Sequence, residues 1–146
     1  MKTLETILEN YEGMETLDAR LGRRLCQFLT IEQMAKIGFT FQDKESEQNH
    51  KPIAWTEENV LKQLKEDLEF GIEKATHHRG LSAGMMWEVC HAWCEVLENG
   101  LDKEFDPHSD ADYGYYGDKL FKAIDKKYNF GLVKPNTFNK EFYREW

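Results

Sequence analysis

The sequence predicts an all-α domain on three observations. Apolar residues recur at helical spacing in every long segment. Helix stop and start residues mark the breaks between segments. The strand signal, alternating polar and apolar side chains, is weak throughout. With 146 residues, of which 40% are hydrophobic and 13% aromatic, the chain is long and apolar enough to bury a core as one domain. Residues 1–146 therefore read as a single bundle of about five helices.

The elements follow in order. A first helix covers about Thr3–Tyr11 and stops at Gly13. A second runs from about Leu17 to Phe28, with Leu17, Leu21, Leu25 and Phe28 on one face. Thr30 then caps a short helix through Ile31, Met34 and Ile37 that Gly38 closes, and Phe39–Phe41 reads as extended. Residues 42–54 are polar, contain Pro52 and read as an exposed loop.

Thr56 caps a third long helix, about Glu57–His77. At 100° per residue Val60, Leu61, Leu64, Leu68, Ile72 and Ala75 share an arc of about 120°, with Glu66, Glu69 and Glu73 pointing the other way. Arg79-Gly80 breaks it. Ser82 caps the next, about Ala83–Glu98, whose stripe of Met85, Met86, Val89, Trp93, Val96 and Leu97 marks it as the central helix. After an Asp- and Tyr-rich stretch, a final helix over about Asp118–Tyr128 turns Leu120, Phe121 and Ile124 inward. Residues 131–146 read as an irregular tail, in which Phe138, Phe142 and Trp146 recur every four residues.

Charge narrows the function classes. Nineteen basic against 27 acidic residues give a net charge of −8. Binding to nucleic-acid phosphates needs a concentrated positive surface, so no direct nucleic-acid binding is expected; the balance suits a basic protein partner or divalent cations. Cys26, Cys90 and Cys94 are an odd set, which does not read as a disulfide framework. The start, MKTLETILENYEG, is too polar for a secretory signal, and no apolar run approaches the length of a membrane span. The expectation is a cytoplasmic protein with buried, reduced thiols.

Three stretches, LDARLGRRLCQFL, HHRGLSAGMMWEVCHAWCEVLENGL and DYGYYGDKLFKAIDKKYNFG, together resemble small proteins of unknown function encoded in bacteriophage and prophage genomes. The resemblance covers about half the chain. It implies a phage-associated intracellular protein, in the host cytoplasm, and carries no fold, activity or residue role with it.

The common catalytic signatures are absent: there is no GxxxxGK[ST] loop, no GxGxxG, no HExxH, no GxSxG and no paired CxxC. Four constellations remain. The first, Glu88-x-x-His91, has the spacing used in di-iron bundles, with Cys94 and Glu95 one turn on. A second Glu-x-x-His is missing, and Glu88, His91, Glu95 and Glu98 share an arc opposite the apolar stripe. They are expected to face water, and no metal site is assigned.

The second, Glu66-x-x-Glu69 followed by Glu95-x-x-Glu98, is similar to the acidic pattern of the all-α nucleotide pyrophosphohydrolases related to MazG and dimeric dUTPase. That resemblance implies magnesium held by the carboxylates. The family expects Asp where Glu98 stands, and Glu66 points away from its helix's apolar face.

The third is a basic turn: His77, His78, Arg79, Gly80 and Ser82 precede a helix N-terminus, where a phosphorylated ligand could bind, or which is an ordinary helix connection.

The fourth is charge itself. From residue 95 to 112, Glu95, Glu98, Asp102, Glu104, Asp106, Asp110 and Asp112 face only Lys103, a net −6 of the chain's −8. Glu95 and Glu98 stand at a helix C-terminus, where the dipole disfavours acids, so helix stability does not explain them. The Asp106-x-His108-x-Asp110-x-Asp112 spacing lacks the glycine and glutamate of a calcium loop. Tyr113, Tyr115 and Tyr116, between glycines, add contact-forming aromatics, as a partner surface or as a lid on the core.

The leading expectation is a non-enzymatic binding protein with no cofactor. It is directed at a host protein through the acidic strip, in the manner of an anti-defence protein, or at a small anionic ligand. A magnesium-dependent pyrophosphohydrolase and a phage structural or accessory protein are the alternatives.

Overall fold

Four helix starts among the described residues are capped by side-chain oxygens. Thr3 Oγ1 accepts from the Thr6 amide at 3.2 Å, Thr30 Oγ1 from the Gln33 amide at 3.1 Å, Asp43 Oδ1 from the Ser46 amide at 2.7 Å and Thr56 Oγ1 from the Asn59 amide at 3.2 Å. Each satisfies an amide that the first helical turn leaves without a partner. At Thr30 the box is reciprocal, since Gln33 Oε1 accepts from the Thr30 amide at 2.9 Å.

The computed structural model describes residues 1–9, 16–77, 81–97, 118–135 and 137, with backbone alone for 16–20, 75–77, 81–85 and 118–120. The fold is all-α, and among the described residues there is no strand. The helices are α1 (Leu4–Glu9), α2 (Thr16–Leu25), α3 (Ile31–Lys36), α4 (Lys44–Asn49), α5 (Glu57–His77), α6 (Leu81–Leu97) and α7 (Asp118–Tyr128). Among the described residues, six of these correspond to the helical segments expected from the sequence and α4 is an addition. The second expected helix, Leu17–Phe28, finishes as a 3₁₀ turn at Cys26–Phe28.

The stretch 42–54, read as an exposed loop, is exposed but not a loop throughout. Asp43 caps α4 within it, and a run of six polar residues gave no apolar periodicity to reveal the helix. The described residues of the tail, 131–135 and 137, form neither helix nor strand, as expected of an irregular segment, and their start is tied back to α7 as described below.

α6 is the axis. Around its circumference Met86, Trp87, Val89, Cys90, His91, Ala92, Trp93, Cys94 and Val96 are all buried. At 100° per residue they cover about 260° of arc and, among the residues whose side chains are described, leave only Glu88 and Glu95 in the remainder. α5 packs along it most extensively; α2 and α7 also contact it. Leu21, Leu25 and Phe28 reach it from α2, Val60, Leu64, Leu68 and Ile72 from α5, and Phe121 and Ile124 from α7. A T-shaped pair, Phe28 and Trp55 at 5.1 Å, packs on Trp93, Phe28 edge-on at 6.1 Å and Trp55 tilted at 6.3 Å from its ring. Among the described residues, no helix is long and apolar enough to cross a membrane.

Gly71 sets the spacing between α5 and its neighbours. A Cβ there would lie 2.9 Å from two ring carbons of Phe121 and 3.1 Å from Met86 Cβ. Phe121 is fully buried, so its ring has nowhere to retreat. Gly71→Ala gains about 1 kcal/mol of helix propensity but overpacks the core by roughly 1–3 kcal/mol. A net loss of about 1 kcal/mol is expected, read as a lower urea midpoint with unchanged slope; an unchanged or raised midpoint would show that the seat is looser.

α7 closes with Asn129 in the left-handed region (φ 56°), and the Phe130 amide donates to the Asp125 carbonyl at 3.2 Å, a Schellman closure. The Asp125 carboxylate, buried, accepts from the Leu132 amide at 2.9 Å and the Val133 amide at 3.0 Å. This folds the first residues of the predicted irregular tail back onto α7. Asp125→Ala should cost about 2 kcal/mol. The amides of Leu132 and Val133 should then exchange with solvent far faster while that of Leu64 stays protected; equal protection at all three would refute the anchor.

Candidate functional site

Three polar or charged residues are buried among the described residues: Asp67, His91 and Asp125. Asp125 is the tail anchor. The other two lie on the helices that carry the sequence-predicted constellations.

Asp67 sits on the α6-facing side of α5 and is only 4% exposed. Its Oδ2 accepts from Trp93 Nε1 of α6 at 2.8 Å; its Oδ1 accepts from Gln63 Nε2 one turn back at 3.1 Å and pairs with Arg24 Nε of α2 at 3.2 Å. One carboxylate thus ties three helices together. The cluster extends outward: Gln27 Nε2 donates to Gln63 Oε1 and to the Arg24 carbonyl, and Arg24 Nη2 approaches Met86 sulfur at 3.5 Å. Arg24 is 39% exposed, so its charge is shared between Asp67 and water. Burial pushes the Asp67 carboxyl above the ordinary aspartate range; the Trp93 hydrogen bond, Arg24 and Gln63 pull it back only in part. Beside it, burial first and the Asp67 charge second push the Cys90 thiol well up. A thiol held in that form is a poor nucleophile, and Cys26, half-buried, is shifted the same way by burial. All three cysteines are thiols, as expected of small apolar residues. Chemically, this cluster holds helices in register.

The sequence reading missed Asp67, though a signal was present. On the helical wheel it falls about 20° outside the Val60 edge of the apolar arc, on the inward side of its neighbours Glu66 and Glu69.

His91 corrects an expectation. The helical wheel puts it with Glu88, Glu95 and Glu98 on a wet face, yet it is 3% exposed. Its ring stacks parallel on Trp87 at 5.8 Å, and its Nε2 lies 3.9 Å from Glu95 Oε1. The wheel had assumed one apolar stripe, whereas α6 is covered on several sides, so the wet arc narrows to Glu88, half-buried, and Glu95, whose side chain is 44% exposed. Glu66 and Glu69 are exposed on α5, as their wheel positions require. Among the described residues, no three His, Cys, Asp or Glu side chains gather as metal ligands.

Of the basic turn, His77 is the last residue of α5, and His78, Arg79 and Gly80 lie outside the described residues. α6 starts at Leu81, so Ser82 falls inside the first turn rather than at the cap. In the acidic strip only Glu95 lies within the described residues; Glu98, Glu104, Asp106, Asp110, Asp112, Tyr113, Tyr115 and Tyr116 fall outside them. Both flanking helices are firmly seated. At the α6 end Val96 is buried and its carbonyl accepts from the Lys2 amide at 2.8 Å; the Lys2 carbonyl in turn accepts from Trp55 Nε1 at 3.0 Å. At the α7 end Phe121 and Ile124 are fully buried.

The class these features define is a helical domain built around one buried helix and braced by a three-helix carboxylate. No family model matches the chain, and neither the curated proteins nor the solved structures give a match.

Proposed function

We propose that this chain is a non-enzymatic binding protein that presents the acidic segment 95–112, with Tyr113, Tyr115 and Tyr116, to a basic surface on a protein partner. The single observation that carries it is the concentration of charge. Eighteen residues hold −6 of the net −8, and the rest of the chain is nearly neutral. The seating of α6 and α7 supports this reading, because it fixes both ends from which the segment departs, and fixed ends lower the entropy lost on binding. With the resemblance to phage-encoded proteins, the partner is a host protein in the host cytoplasm whose basic groove takes nucleic acid, and the acids occupy that groove in an anti-defence role.

The test is capture of partners from a host lysate, with wild type beside a Glu98→Lys, Glu104→Lys, Asp110→Lys variant. The expected result is a basic protein whose affinity falls at least tenfold in the variant and falls again as salt rises above physiological strength. An affinity that neither change moves excludes the reading.

A second reading has one observation in its favour: α6 begins at Leu81, directly after His77-His78-Arg79-Gly80, so a helix N-terminus follows the basic turn. A small phosphorylated ligand bound there at 100 times its dissociation constant would stabilise the fold by about 2.7 kcal/mol. Calorimetric unfolding with a panel of nucleotides checks this, and the absence of any shift ends it.

A further inference from the structure

We draw no further inference here: the strongest candidate, the exposed lysine-bearing end of α7 where Lys126, Lys127 and Lys134 flank the stacked rings of Tyr128 and Phe130, carries nothing because nothing in the structure shows what covers it.

Discussion

Trp93→Ala is expected to remove about 4 kcal/mol of stability. Truncating a buried tryptophan costs roughly 3–5 kcal/mol from the cavity and lost transfer energy. Trp93 belongs toward the upper part of that range because its ring is fully buried and touches both Phe28 and Trp55. Its indole N–H also leaves Asp67 Oδ2 one donor short when it goes. Since a domain of this size holds only about 5–15 kcal/mol in total, the variant sits near the edge of folding. Trp93→Phe separates the two contributions. It keeps most of the ring and loses the hydrogen bond, and should cost about 2 kcal/mol. Urea midpoints of the two variants check this, and a phenylalanine variant as stable as wild type would show that the Asp67 bond contributes nothing.

Asp67→Ala should cost about 3 kcal/mol. The buried Trp93 N–H loses its acceptor, at about 1–3 kcal/mol, and the remainder comes from Gln63 and from Arg24. Arg24 contributes less than a fully buried partner would, since it can turn to water. The pH dependence has a definite sign. Burial raises the folded-state pKa of Asp67 above the ordinary aspartate value of about 3.9. Between those two values the folded chain binds more protons than the unfolded one, so stability contributed by this residue falls as pH rises. It is fully present below the ordinary value and lost once the raised value is passed. Asp67→Asn removes the titration while keeping an acceptor for Trp93. The stability of wild type minus that of Asp67→Asn should therefore decline with increasing pH across this window, and a flat or rising difference would sink the assignment.

The long helices were legible because their periodicity was. α5 has the expected bounds, Glu57–His77, and α7 the expected Asp118–Tyr128, and the caps at Thr30 and Thr56 form where Thr precedes an apolar repeat. α4 was illegible for the opposite reason: Lys44–Asn49 has no buried residue, and a helix held by a cap and no core leaves no pattern. The site divides along the same line. Exposed carboxylates such as Glu66 and Glu69 follow from the wheel, because solvent faces are set by one helix alone. His91 does not, and Asp67 only borders the apolar arc, since the burial of both depends on what neighbouring helices bring against them. A polar residue's fate there is decided by partners 26 residues away, as with Asp67 and Trp93. Sequence patterns within one helix hold no record of that distance.

The burial of α6 on nearly every side also governs how the chain can be made. Translation delivers α2, α5 and α6 well before α7, so a nascent chain that stops short of Ile124 has no Phe121 to occupy the seat beside Gly71. Until those residues emerge, part of an otherwise greasy cylinder stays wet, and cooperative closure waits for them. Shortened versions that end before α7 are thus destined for aggregation rather than for a smaller working unit.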